Sequence, residues 1–328
     1  MQIGVYSYGS AISRDNEGFV IVTADGRTRV PAEAVDCISL GRGINITSDA
    51  LFLAIERDIP VVLTDKTGKP TGRVWSSSYG SISTIRKGQL DFTRSAEAVK
   101  WICETLGRKI ENQQAMLLML PAPDDATDMR RQTAIKRLDT MAQKVKGVKA
   151  ERVADVASQI RGWEGTASKV YFEAMNLFIP EEYRFETRTQ HPAMDPANAL
   201  LNYAYGMLYS LIEGELIKAG ADPYLGILHR DEYNRPVLVY DVIERFRVWA
   251  DYVVFSLLGQ RVVDDEYWSR REDGAVWLEG LGRRVIIQGM TDYLAEVVDM
   301  GGVRRSRSSH VTLCAQELAQ RFKSFNER

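Results

Sequence analysis

The feature that most limits the fold is a change of hydrophobic period partway along the chain. Up to about residue 83, apolar residues come in short runs broken by turn signals; from about residue 95 they recur every three or four positions. One chain with both periods needs two architectures, and 328 residues are enough for two domains. In the first part, residues 3–8 alternate, residues 19–22 form an apolar run, and Asp25-Gly26 is a hairpin signal. Residues 35–40 and 60–63 read as further strands, and 65–68 as a turn. Ser48 can cap a short helix through Leu51, Ala54 and Ile55. Short strands with frequent turns predict a small β-sandwich over residues 1–83. The Ser-rich stretch 76–83 lacks either period, and the linker is assigned to residues 84–94.

The remainder reads as helix. Val99, Ile102, Cys103, Leu106 and Ile110 share one stripe of a helix that starts near Ser95. A break at 121–128 precedes a basic helix to about Lys146. Asp195-Pro196 is an N-cap with a first-turn proline, and Gly220 ends the helix it begins. The expected fold is therefore α+β and multidomain: the small β-sandwich, then a larger, mainly α-helical catalytic domain over 95–328. No run of 18 apolar residues occurs, and the first 20 residues lack a basic segment leading into an apolar one, so membrane and secreted readings are poor. Cys37, Cys103 and Cys314 are odd in number and far apart, which fits reduced thiols in a cytoplasmic protein.

Net charge is only −2, but its distribution is uneven. Residues 84–149 carry a surplus of +5, residues 150–303 a deficit of −10, and residues 304–328 a surplus of +4. An acidic centre between basic flanks can hold cations in the middle and phosphates on either side. Solvated helix faces would give the same totals.

The most informative helix spans about 150–178, with Ala157, Ile160, Ala167, Tyr171 and Ala174 on one apolar or small stripe. Glu164 lies in that stripe. A carboxylate there needs a hydrogen-bonded cation or a metal, or it must stay protonated. A second cluster follows at 224–247. Residues 225–229 and 237–240 resemble paired short strands, which would bring His229 near Asp241. Asp241 could then cap a helix with Glu244 one turn on. One imidazole with two or three carboxylates is an N/O ligand set suited to Mg²⁺ or Mn²⁺. The plain alternatives are a buried ion pair at Glu164 and a simple capping feature at Asp241-x-x-Glu244. With only His191, His229 and His310, a multi-histidine centre is almost excluded.

These motifs, in this order, resemble the CRISPR-associated Cas-one (Cas1) endonucleases, the integrases of spacer acquisition, over nearly the whole chain. Gly162-Trp163-Glu164-Gly165-Thr166-Ala167 is similar to the family's first ligand motif, and Leu228-His229-Arg230 and Asp241-Val242-Ile243-Glu244-Arg245-Phe246-Arg247 to its second and third. The segment beginning Asp195-Pro196-Ala197-Asn198 resembles its central helix, and Lys109 through Asn112-Gln113 a segment of its first long helix. Arg245 stands where the family often has proline. The resemblance implies metal ligands Glu164, His229 and Glu244 with Asp241 as an essential acidic neighbour. It also implies a homodimer, assembly with the small Cas-two (Cas2) protein, and double-stranded DNA as substrate, both incoming spacer and repeat target. The β domain, which lacks the proposed ligands, is expected to supply the dimer and partner contacts.

DNA contacts are expected from Lys109, Arg130, Arg131, Lys136 and Arg137, with Arg230, Arg235 and Arg247 nearer the metal and a flexible cationic strip at 304–308. Tyr203, Tyr205 and Tyr209 could stack on bases or belong to the core. The alternatives are a transposon-type integrase or branched-DNA repair nuclease with the same site, and a noncatalytic DNA-binding scaffold whose acidic cluster is structural.

Overall fold

The computed structural model describes residues 2–65, 70–74, 82–190, 192–229 and 235–326. Residues 66–68 of the turn expected at 65–68, most of the Ser-rich stretch 76–83, and Arg230 lie outside the described residues. The chain divides into two compact units, Met1–Gly80 and Ser81–Arg328.

Among the described residues the first unit contains β1 (Gln2–Val5), β2 (Ala11–Asp15), β3 (Gly18–Thr23), β4 (Gly26–Pro31), β5 (Cys37–Leu40), β6 (Asn45–Ile46), α1 (Ser48–Glu56), β7 (Val61–Thr64) and β8 (Pro70–Val74). One sheet has the order β1-β5-β7-β8, parallel except for β8; the other has the order β4-β3-β2-β6, with β6 parallel to β2. Both sheets and α1 feed one core. Ile3, Ile38 and Val61 come from one sheet, Ile12, Phe19 and Val30 from the other, and Leu53 from the helix. Two positions differ from expectation by one residue. Thr23 pairs with Gly26, so the β3–β4 loop is Ala24-Asp25, and the cap of α1 is Thr47, whose hydroxyl accepts from the Ala50 amide.

The second unit begins with α2 (Ile82–Thr93), α3 (Ala96–Met119), α4 (Asp125–Lys146), α5 (Val153–Met175) and α6 (Pro196–Lys218). The expected starts hold where capping chemistry is explicit. Ser95 caps α3, and Asp195 caps α6 by accepting from the Asn198 amide at 2.7 Å. Gly220, at φ +87°, follows the end of α6 in a conformation that glycine adopts without a Cβ penalty. Then follow α7 (Val237–Ile243), α8 (Arg247–Gly259), β9 (Trp268–Arg270), β10 (Val276–Leu278), α9 (Gly280–Ala295), β11 (Val297–Met300), β12 (Val303–Ser306) and α10 (Arg307–Asn326). The helices surround one large apolar core that includes Trp101, Ile102, Leu106, Tyr171, Leu200, Leu208 and Phe322. Full burial of such a side chain stabilises by about 1.5–3 kcal/mol. Among the described residues no helix is long and apolar enough to cross a membrane.

Three expectations are corrected. Residues 84–93 are not a linker but belong to α2, which packs on α10: Phe92 meets Phe322 and Phe325 edge-on, with ring centroids 5.3 and 5.2 Å away. Residues 237–240 are not a strand paired with 225–229; they begin α7, and Asp241 lies inside that helix rather than capping it. The cationic strip 304–308 is not a loose tail, because Arg304 and Arg305 sit on β12 and Arg307 starts α10 against Tyr293 and Glu296.

Candidate active site

The site is built on a polar ladder in the buried face of α3. Thr105, Lys109 and Gln113 recur every four residues among Ile102, Leu106, Ile110 and Leu117, and all are buried. The Lys109 side chain is 3% exposed. An ammonium so placed must be ion-paired. It bonds Glu164 Oε1 on α5 and lies 2.5 Å from Glu244 Oε2 in the corner between α7 and α8. The second contact lacks hydrogen-bond alignment, which leaves Glu244 Oε2 a buried oxygen without a hydrogen bond. Burial pushes the Lys109 pKa down, but Glu244 and Glu164 outweigh it and raise it above the ordinary lysine value.

Glu164 also accepts from the Ser168 hydroxyl, one turn along α5, at 2.8 Å. Burial favours its neutral form; the Lys109 charge and hydrogen bond and the Ser168 hydroxyl win, and its pKa falls to about 2. Glu164 is therefore a carboxylate, satisfied by the buried ion pair that the sequence left open.

The corner holding Glu244 is fastened to α3 through Arg245. Its carbonyl accepts from Asn112 Nδ2 at 3.1 Å, its Nε donates to Thr105 Oγ1 at 3.1 Å, and its guanidinium lies 5.3 Å from the Trp101 ring centre. Arg247, the first residue of α8, donates to Glu244 Oε1 at 2.7 Å, so each Glu244 oxygen faces a different cation.

His229 and Asp241 meet, although through a loop rather than a hairpin. Asp241 is fully buried and its carboxylate gathers the loop: Oδ2 accepts from the amides of Ile227 at 2.6 Å and Leu228 at 3.1 Å, and Oδ1 from that of His229 at 3.2 Å. Oδ1 also lies 2.7 Å from His229 Nδ1. A carboxylate there selects the Nδ1–H tautomer of a neutral ring and leaves the Nε2 lone pair for a ligand. Burial lowers the His229 pKa, but Asp241, Glu244 and Glu164 together raise it. The ring packs edge-on against Tyr240, which packs in the same way against Tyr209 of α6.

A second polar network, which the sequence did not reveal, backs Arg247. The guanidinium groups of Arg247 and Arg188 both lie over the ring of Tyr205 of α6, 4.8 and 5.2 Å from its centre. Its hydroxyl bonds Asp251 Oδ1, and Tyr171 bonds Oδ2 at 3.1 Å. Burial raises the Asp251 pKa to about 6 despite these donors and the two arginines. Tyr205 is thus a core residue and not a base-stacking one.

A divalent ion was expected on Glu164, His229 and Glu244. Among the described residues no three His, Cys, Asp or Glu side chains stand in the spacing of a metal cage, and Lys109 sits between the two glutamates. The donor chemistry nevertheless fits a hard cation. Two carboxylates, Glu244 buried and Glu164 partly exposed, already converge on one positive charge, one oxygen lacks a hydrogen bond, and an oriented imidazole belongs to the same electrostatic cluster.

The expected DNA contacts separate by position. Arg130, Lys136 and Arg137 lie exposed on α4. Arg131 is turned inward, bonded to Asp128 and to the Leu120 carbonyl at 2.6 Å. Lys109 and Arg247 are corrected: both serve the carboxylate cluster, and Lys109 has no surface to offer a phosphate. Arg235 is exposed just before α7.

With this geometry established, similarity to known proteins becomes informative. A family profile described as "CRISPR associated protein Cas1" matches residues 3–292. The CRISPR-associated endonuclease Cas1 1 of Archaeoglobus fulgidus is 30% identical over 334 residues, covering 97% of this chain and 95% of its own length. Among solved structures, a casposase bound to an integration product superposes with TM-score 0.81 at 21% identity, over 98% of this chain and 90% of the other. A Cas6-RT-Cas1–Cas2 complex gives TM-score 0.79 at 23% identity over 99% of this chain, which spans 35% of that longer one. At these identities the structural likeness establishes the fold.

Proposed function

The chain belongs to the CRISPR-associated Cas1 family, and from that premise we propose that it is a divalent-metal-dependent DNA endonuclease and integrase of CRISPR adaptation. It joins new spacer DNA to the repeat array by attack of a 3′-hydroxyl on a repeat phosphodiester, forming a new P–O bond as the bond to the repeat strand's own 3′-oxygen breaks and that oxygen leaves as a hydroxyl. The observation that carries this reading is the convergence of Glu164 and Glu244 on one buried cation, with His229 oriented by Asp241 in the same cluster.

Glu164, His229 and Glu244 would hold Mg²⁺ or Mn²⁺. The ion supplies neutralisation of the nonbridging phosphate oxygens and a lower pKa for the attacking hydroxyl. Asp241 fixes the imidazole tautomer, and Arg247 holds Glu244 Oε1 so that Oε2 faces the site. Water in place of the hydroxyl gives hydrolytic nicking. Exposed cations on α4 bind the duplex backbone. The protein works in the cytoplasm as a homodimer with the Cas2 protein.

The test is transfer of a labelled duplex into a repeat-bearing plasmid with Cas2 present. Joining at the repeat boundary that stops with EDTA while DNA binding persists supports the proposal. Binding without processing in Mg²⁺ and Mn²⁺ would favour a noncatalytic scaffold. Joining at sites unrelated to the repeat would favour a transposon-type integrase, a reading in keeping with the likeness to a casposase.

A further inference from the structure

We propose that Lys109 is a resident cation of the site, holding Glu164 and Glu244 together until a divalent ion takes its place. The inference rests on the metal-dependent reading above and deepens it, because it makes metal entry an exchange between cations. Three observations carry it.

The first is position. Lys109 reaches Glu164 Oε1 and Glu244 Oε2 from a side chain that is 3% exposed, while Glu244 itself is 6% exposed. These are two of the oxygens an ion would use. Metal–oxygen distances near ~2.1 Å leave no room for an ammonium between the same oxygens. Ion and ammonium therefore exclude one another sterically.

The second is charge. Glu164 and Glu244 are balanced by Lys109 and Arg247. Asp241 adds a further negative charge, but its oxygens face the 227–229 amides and the His229 ring. A divalent ion added to that balanced set would meet two cations at short range, one of them the buried Lys109. The local field favours its entry only once the lysine has left.

The third is the quality of the Lys109 contacts. The ammonium is hydrogen-bonded to Glu164 but only in ionic contact with Glu244, whose Oε2 has no hydrogen bond. Arg247, by contrast, holds Glu244 Oε1 with an aligned bond at 2.7 Å. Arg247, packed against Tyr205, can therefore stay on Oε1 while Oε2 and Glu164 Oε1 exchange the ammonium for the ion.

The experiment titrates Mn²⁺ into the full-length protein without DNA, by calorimetry and by the ion's magnetic-resonance signal, for the wild type, Lys109→Met and Lys109→Arg. Exchange predicts that Lys109→Met binds Mn²⁺ at least roughly tenfold tighter than wild type and gains more in melting temperature from saturating Mn²⁺. Lys109→Arg keeps the charge and should bind no tighter than wild type. Equal or weaker binding by Lys109→Met, with wild type binding normally, overturns the exchange and leaves the metal reading standing. Tighter binding by Lys109→Arg also overturns it, since charge would then not be the cause. If neither wild type nor Lys109→Met binds Mn²⁺, the metal reading fails and the exchange with it. Lys109→Met leaves the carboxylates of Glu164 and Glu244 facing each other and can fail to fold without metal. In that case it should refold from denaturant when Mn²⁺ is present, and failure to do so would contradict the claim that ion and ammonium are interchangeable.

Discussion

Replacing Asp241 by Asn is the perturbation whose consequence can be worked most closely from the geometry. The carboxylate accepts four bonds, three from the Ile227, Leu228 and His229 amides and one from His229 Nδ1. An asparagine has one oxygen. If that oxygen keeps Nδ1 and the His229 amide, the NH₂ group points at the Ile227 and Leu228 amides, donor against donor. If it keeps those two amides, the imidazole loses its orienting acceptor. The first arrangement orphans two buried amides and the second the part-buried amide and ring of His229, at about 1–3 kcal/mol each, so the local loss is about 2–4 kcal/mol after partial relaxation. A two-unit chain need not unfold in one step, and a global melting curve would not isolate this loop. Amide hydrogen exchange over residues 225–229 reads the local opening directly, and this loss corresponds to a protection decrease of roughly thirty- to several-hundred-fold. Strand transfer should fall with it, because the same carboxylate fixes the ring. Unchanged protection in Asp241→Asn would refute the claim that this side chain organises the loop.

Other predictions rest on separate parts of the structure. Asp251, with its pKa raised to about 6, favours the folded state most when protonated. Its contribution is present below about pH 4 and is lost as pH rises to about 6, by roughly 3 kcal/mol in all. The difference in stability between wild type and Asp251→Asn, followed by denaturant melts between pH 4 and 7.5, should show that decline, and a flat difference would contradict it. Neutralising Arg130, Lys136 and Arg137 together should make the log–log salt dependence of duplex binding shallower by up to about 2.7, at roughly 0.9 per lost phosphate contact. Adding Arg131→Ala should change the slope little and instead loosen the α3–α4 connection, read by proteolysis. Gln89→Leu should free α2 from the 222–225 loop, since the amide donates to the Asp222 and Leu225 carbonyls and accepts from the Asp222 N–H. Faster exchange at Asp222 is the expected sign, with a cost of about 2–3 kcal/mol.

How much of this was legible in the sequence depended on whether an element showed a one-sided pattern. The starts of α3 and α6 were readable because Ser95 and Asp195 are explicit caps. Helix α2 was missed because its buried face carries Gln89 between Ile85 and Phe92, so the stripe is interrupted where a hydrogen-bonded amide replaces an apolar side chain. Helix α7 was missed for the opposite reason. Val237, Leu238, Val239, Val242 and Ile243 are all buried, and a short helix enclosed on every side has no polar face to reveal its period. The meeting of His229 with Asp241 was foreseen through an incorrect hairpin, since the two lie close by way of a loop that the aspartate itself gathers. The role of Lys109 was not foreseen. The available signal was the four-residue spacing of Thr105, Lys109 and Gln113 in an otherwise apolar face, which marks a buried polar ladder rather than a phosphate-binding surface. The network of Arg188, Tyr205, Asp251 and Tyr171 joins residues up to 80 positions apart and leaves no local trace.

The central claim is that Glu164, His229 and Glu244 act as one cation site for DNA strand transfer. The most direct measurement is single-turnover joining of a labelled duplex to a repeat-bearing plasmid, in Mg²⁺ and in Mn²⁺, by Glu164→Gln, His229→Ala and Glu244→Gln, with duplex binding measured in parallel. The account predicts that each substitution abolishes joining in both metals while leaving duplex binding within a few-fold of wild type. Near wild-type joining by any one of the three would remove that residue from the site and contradict the claim.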